Sequence, residues 1–222
     1  MRSIYKIVVC SLLTLSITSC EKDLLEKEQY QKEIYLIGAY NRVWTTEVSY
    51  SNEEVKTYFT VSSSGTLALD RDVNVKMKIN EELVDIYNKK YWTVLNEDKY
   101  YKSLDTDLYS IPSLENTVIK HAEGISAEVP VLIKTASLKI DQSYVIPVEI
   151  ESTTGYPISE SGYKMLILLK LKNDYSGSYQ MSGHTTLEGE TPKTIQKPKT
   201  IKPTGVNTVR LLCHEQRERR EG

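Results

Sequence analysis

The chain has 222 residues, with 28 Lys and Arg against 30 Asp and Glu and a formal charge of −2. A mildly acidic chain with scattered signs lacks the basic face that nucleic acid requires, so no nucleic-acid partner is expected. The length accommodates one good domain plus part of another.

The first stretch is a processing signal. Arg2 and Lys6 precede the apolar run Ile7-Val8-Val9-Cys10-Ser11-Leu12-Leu13-Thr14-Leu15, and Ile17-Thr18-Ser19-Cys20 follow. A charged start, a short apolar core and a small residue before a cut make a secretory signal over 1–19. The run is shorter than the roughly 20 residues of a membrane-spanning helix. Ile17 to Cys20 resembles a bacterial lipobox, so Cys20 is the expected site of lipidation. The alternative is a plain secreted protein in which Cys20 is incidental. Cleavage removes Cys10 and leaves Cys213 without an intramolecular partner, so no disulfide framework or Cys-based metal site is expected. Glu21-Lys22-Asp23 resembles the surface-export signal of Bacteroidetes lipoproteins, and residues 20–32 read as a lipid-anchored, charged tether.

Glu33 to Gly38 reads as a first strand, with Trp44 to Tyr50 expected beside it. Val55, Thr57, Phe59 and Val61 share one strand face. Ser62-Ser63-Ser64-Gly65 is a turn cluster. Val73, Val75, Met77 and Ile79 alternate with Asn74, Lys76 and Lys78, the pattern of a half-buried antiparallel strand. Asn80 is placed to cap a helix with Glu81 and Glu82 in its first turn. Leu83, Ile86, Tyr87 and Lys90 then follow helical spacing, which predicts a helix packed across the end of a sheet. Residues 91–108 are Tyr-rich and irregular. Tyr109 to Pro112 reads as an edge segment, because Pro112 cannot donate to a ladder. Asn116 to His121 and Ser126 to Ile133 read as strands around a turn at Glu123-Gly124. Tyr144 to Ile150 points Tyr144, Ile146, Val148 and Ile150 inward, and Tyr163 to Leu171 is the most apolar strand and the expected central one.

At least seven short strands, spaced by turn signals and interrupted by one helix, predict an all-β fold: an immunoglobulin-like β-sandwich over 33–172. Sixteen Tyr against one Phe suit an extracellular sheet protein, since Tyr buries its ring and keeps its hydroxyl wet. At Asn173-Asp174 the pattern resets. Tyr175 to His184 reads as a strand, 191–204 as a Lys/Pro/Thr loop, and Asn207 to Leu212 as a second strand. Two strands cannot bury a core alone, so 173–222 is expected to be an incomplete second β domain with a disordered tail.

Leu83-Val84-Asp85-Ile86-Tyr87-Asn88, then Tyr91, then Tyr109-Ser110-Ile111-Pro112, then Tyr144-Val145-Ile146-Pro147-Val148 resemble the Bacteroidetes lipoprotein domain of unknown function numbered 1735. That domain also occurs at the front of some family-18 endoglycosidases. The likeness covers about residues 30–172, and Asn173 to His184 resembles the opening of a lipocalin-like β domain. The resemblance implies an outer-surface lipoprotein of a glycan-utilisation system. Its implied partners are a glycan or glycoprotein, the membrane through the lipid, and an outer-membrane glycan-uptake complex. It carries over no catalytic residues.

The residues themselves point the same way. Asp70-Arg71-Asp72-Val73-Asn74 with Glu81 matches a calcium loop superficially, but Val75 stands where that loop needs Gly. His121, His184 and His214 are scattered, so no metal site is expected. Ser-rich turns lack a nucleophile elbow, and no carboxylate pair sits in a glycosidase-like strand-end motif. There is no phosphate-cradling Gly-rich loop, and no cofactor is expected. Aromatic residues in loops are what remains. A Trp or Tyr held flat can cover the apolar face of a sugar ring. Trp92, Tyr100 and Tyr101 in the irregular stretch, with Trp44 and Tyr156 near turns, are the candidate ligand contacts. The expectation is a non-catalytic, lipid-anchored, surface-exposed outer-membrane protein that binds glycans or glycoproteins. The alternative is an adhesive or structural protein-binding module of the cell envelope.

Overall fold

The computed structural model describes residues 27–186, 189 and 191–211. The expected signal at 1–19, Cys20, the Glu21–Asp23 motif, Cys213, His214 and the expected C-terminal tail lie outside the described residues.

The strands are β1 (Ile34–Leu36), β2 (Val43–Ser49), β3 (Glu54–Ser63), β4 (Val73–Ile79), β5 (Lys102–Ser103), β6 (Tyr109–Ser110) and β7 (Thr117–Ile119). They continue with β8 (Ser126–Lys134), β9 (Tyr144–Thr153), β10 (Lys164–Lys172), β11 (Gly177–Thr185), β12 (Lys193–Pro203) and β13 (Val209–Arg210). The α-helix α1 (Glu82–Tyr91) follows β4. One sheet runs β1-β3-β8-β6, and a larger one runs β2-β10-β9-β4-β7 with β5 also on β9. β11, β12 and β13 form a third.

The first two sheets face each other as a β-sandwich. Their period-2 faces meet in one core: Phe59, Val61, Val129, Val131 and Ile133 from one side, and Val73, Val75, Met77, Ile146, Val148, Ile150, Met165 and Ile167 from the other. Each fully buried aliphatic side chain contributes about 1.5–3 kcal/mol, so alternation over so many strands fixes which face turns inward. β10 lies between β2 and β9, as its apolar character predicts. β6 is an edge strand, in keeping with Pro112 beside it.

Several expectations are corrected. β2 does not lie beside β1: it pairs in parallel with β10 in the other sheet, Trp44 opposite Ile167. The helix does not close a sheet end. It lies on the outer face of the larger sheet, where Leu83 and Val84 pack on Val145 and Leu166. β9 and β10 are therefore apolar on both faces near the helix, because both faces are covered. The buried helix face is Leu83, Val84 and Asn88, while Ile86 is 54 % exposed. Asn80 accepts a hydrogen bond from the Glu82 N–H at 3.1 Å, supporting the helix start, though the cap position itself is Glu81. Residues 193–203, read as a loop, form β12, paired with β11 from Thr185–Lys193 to Gly177–Ile201. Pro198 lies outside the two residues, Lys202 and Pro203, that β13 pairs, and among the described residues no strand faces that edge of β12 before Lys202; Pro203 ends the strand.

At the junction, Asn173 Nδ2 donates to the carbonyls of Gly205 (2.8 Å) and Thr208 (2.9 Å). Residues 28–33 are clipped to the turn after β3. Glu28 accepts from Thr66 and Leu67, and Ser64 Oγ donates to the Gln31 carbonyl at 3.1 Å. Lys32 first and the Thr66 N–H next hold the Glu28 carboxyl well below the usual carboxylate range.

Candidate functional site

A cleft of about 350 Å³ opens where three segments meet: α1, the tight turn 38–42 after β1, and the entry into β10. Gly38 makes the turn possible. Its φ is +91°, and a Cβ there would sit 2.5 Å from Trp44 Cε3. The turn ends at Arg42, whose φ is +62°. Its N–H donates to the Ala39 carbonyl at 2.8 Å, and its own carbonyl accepts from the Leu166 N–H at 2.8 Å. The turn is thereby tied to β10, and Tyr40 projects at its tip, 82 % exposed.

The cleft is lined by rings and charges. Tyr40, Tyr87 and Tyr163 supply the rings, and Arg42, Glu160 and Lys164 the charges, over a floor that includes Leu83 and Met165. Lys164 Nζ lies 4.7 Å from the Tyr163 ring centroid, within cation–π range. Tyr87 is also the middle of an aromatic ladder on the helix. Its ring stacks on Tyr101 at 5.2 Å and 10°, and meets Tyr91 at 4.5 Å and 34°. Burial, with Tyr101 beside it, pushes the Tyr87 phenol pKa up, so its hydroxyl stays protonated and can donate at neutral pH.

The ladder is fixed by one buried amide. Asn88 is 5 % exposed. Its Nδ2 donates to the Tyr101 carbonyl at 2.9 Å, and its Oδ1 accepts from the Tyr101 N–H at 2.9 Å. This reciprocal pair returns the irregular segment after α1 to the helix and places Tyr101 against Tyr87.

The residues expected from the sequence are distributed as follows. Tyr101 reaches the cleft's edge through Tyr87. Trp92 caps α1, its N–H donating to the Asn88 carbonyl at 2.9 Å, with Lys99 Nζ 5.4 Å from its ring centroid. Its indole N–H is buried and has no hydrogen-bond partner among the described residues. Tyr100 is half-buried, and its carbonyl is 3.5 Å from Gln142 Nε2. Trp44 lies under Gly38, 38 % exposed. Tyr156 is at a different corner, where its hydroxyl donates to Asp70, which also pairs with Arg71. Tyr40, Arg42, Tyr87 and Tyr163 were not among the expected contacts. They come from distant stretches, and the signal that could have found them is a Tyr-bearing turn directly after the strand-ending Gly38.

Among the described residues, no three of His, Cys, Asp and Glu converge as a metal-ligand set. A second hollow, of about 410 Å³, lies between β10 and the third sheet; its lining mixes Leu and Ile with Lys, Glu47 and small polar residues and has no aromatic ring among the described residues.

A family model described as "-like, N-terminal domain" matches residues 30–157, and one described as "-like, C-terminal" matches residues 163–222. No curated protein matches. Among solved structures, a protein of unknown function from Bacteroides ovatus is similar with a TM-score of 0.63 at 18% identity, over 84% of this chain and 63% of that one. A multidomain protein including DUF1735, also from B. ovatus, has a TM-score of 0.57 at 20% identity, over 79% and 57%. An auxiliary nutrient binding protein from Bacteroides thetaiotaomicron has a TM-score of 0.58 at 16% identity, over 81% and 63%. The chain thus spans about six-tenths of the length of these structures, and likeness at this identity establishes the shared fold.

Proposed function

Since the chain belongs to the family that the N-terminal-domain model describes, we propose that it is a non-catalytic glycan-binding protein that presents the cleft beside α1 as its sugar site. The observation that carries this reading is the convergence of Tyr40, Tyr87 and Tyr163 with Arg42, Glu160 and Lys164 in one cleft. Flat rings cover the apolar face of a pyranose, and flanking charged groups bond its hydroxyls. The nutrient-binding protein that shares the fold lends support. The proposal extends to the cell envelope. Cys20 carries the lipid, the protein sits at the outer-membrane surface, and its partners there are a glycan or glycoprotein and a glycan-uptake complex.

The test is a glycan array probed with the purified full chain, followed by affinity gels. Tyr40 is 82 % exposed, so Tyr40→Ala should leave Tm unchanged and abolish retention. Retention that survives Tyr40→Ala but is lost in Trp92→Ala with Tyr101→Ala would move the site to the irregular segment. Labelled-lipid incorporation lost in Cys20→Ala, and loss of the protein from intact cells on protease shaving, check the anchor and the exposure. A second reading, a protein-binding module, draws on the edge of β12 that no strand among the described residues pairs before Lys202. It predicts an empty array and capture of a partner by strand addition.

A further inference from the structure

We propose that the cleft selects a pyranose bearing a carboxylate, with Arg42 as its anion contact; the inference rests on the glycan-binding reading of the same cleft. Arg42 is the one non-glycine residue with positive φ among those described. L side chains seldom adopt this conformation, and Gly or Asn would hold it with less strain. The backbone of Arg42 is bonded on both sides, to Ala39 and to Leu166. The guanidinium is therefore launched from a fixed point into the cleft, yet it forms no ion pair or side-chain hydrogen bond among the described residues. An arginine held at a strained position with no partner among the described residues points to an external one.

The surrounding chemistry defines that partner. Lys164 adds a second cation, and Glu160 is the single carboxylate lining the cleft among the described residues, whose lining thus carries a net charge of about +1 at neutral pH. A guanidinium fork matches the planar geometry of a carboxylate, forming two parallel charge-assisted hydrogen bonds. The tyrosines then take the ring face, and Glu160 is left to accept from sugar hydroxyls. Uronic and sialic acids both present this combination of pyranose and carboxylate.

Calorimetry with the purified full chain tests it, using trigalacturonate, its methyl ester, sialyllactose and lactose at low and raised salt. One of the acids should bind at least about tenfold tighter than its neutral counterpart, the range of a charge-assisted pair, and the preference should weaken with salt. The stronger acid identifies the source as uronate or sialate. Arg42→Gly should erase the preference while raising Tm, because Gly suits the backbone; loss of binding cannot then be attributed to unfolding. Arg42→Lys should restore part of the preference. Equal affinity for acid and neutral forms, or a preference that survives Arg42→Gly, would overturn the inference. Tyr40-dependent binding of neutral sugars alone would do so while leaving the glycan-binding function standing. Binding of no sugar on the array would overturn both.

Discussion

Asn88→Leu isolates the link between the helix and the segment that bears Tyr101. Leucine keeps the volume and the apolar contact with the sheet but can neither donate nor accept. Two hydrogen bonds of 2.9 Å disappear, and the Tyr101 N–H and carbonyl are left facing an apolar side chain. Each bond has a net worth of about 1 kcal/mol, and abandoned, partly buried groups add their desolvation cost, giving roughly 2–4 kcal/mol in total. For a chain of this size each kcal/mol shifts Tm by about 2–4 °C, so the midpoint should fall by roughly 5–15 °C. Thermal unfolding followed by far-UV circular dichroism measures this. The near-UV signal should weaken as well, since Tyr101 no longer stacks on Tyr87. A shift below about 1 °C would refute the reasoning, because it would mean that water already satisfies the Tyr101 backbone.

Gly38→Ala should cost roughly 2–4 kcal/mol, combining the left-handed backbone penalty with the clash against Trp44. Tryptophan fluorescence should report it through a shifted emission and an earlier unfolding transition. Tyr109 offers a pH-dependent test. Burial first, and the Glu81 charge next, push its phenol pKa up to about 12. The unfolded phenol ionises near 10, so the contribution is full below about pH 10 and is lost as pH rises toward the folded value. Tyr109→Phe should flatten this alkaline loss in denaturant titrations. It should also raise stability at pH 7 by about 1 kcal/mol, since the buried hydroxyl has no partner among the described residues.

The sandwich was legible because period-2 alternation is a local signal enforced by burial. Ala127 to Ile133, Tyr144 to Ile150 and Val73 to Ile79 turn the predicted faces inward. Pairing was less legible. Nothing within Val43–Ser49 reveals a parallel partner that begins at residue 164, so chain order alone favours the nearer neighbour. Helical spacing marks α1 but does not place Ile86, because apolar spacing does not distinguish a face on a sheet from the wall of a cleft. The same limit hides the cleft. Tyr40, Tyr87 and Tyr163 belong to a turn, a helix and a strand entry, and only the fold brings them together. Composition points to tyrosine as the residue type to examine, and Tyr101 stacks on Tyr87 of the cleft. Tyr156 shows the converse, since an aromatic near a turn can spend its hydroxyl on a neighbouring loop.

The parallel pairing of β2 with β10 also determines how the chain can fold. Glu47 and Lys170, joined across that pair, are 123 positions apart. β10 is inserted between β2 and β9, so both flanking strands have an unsatisfied inner edge until residues 164–172 arrive. During synthesis the earlier strands emerge first and cannot close the larger sheet by themselves. High contact order of this kind slows folding and prolongs the exposure of sticky edges. A nascent chain stopped just before β10 should therefore depend on chaperones and be sensitive to proteases, and extension by those nine residues should convert it to the resistant form.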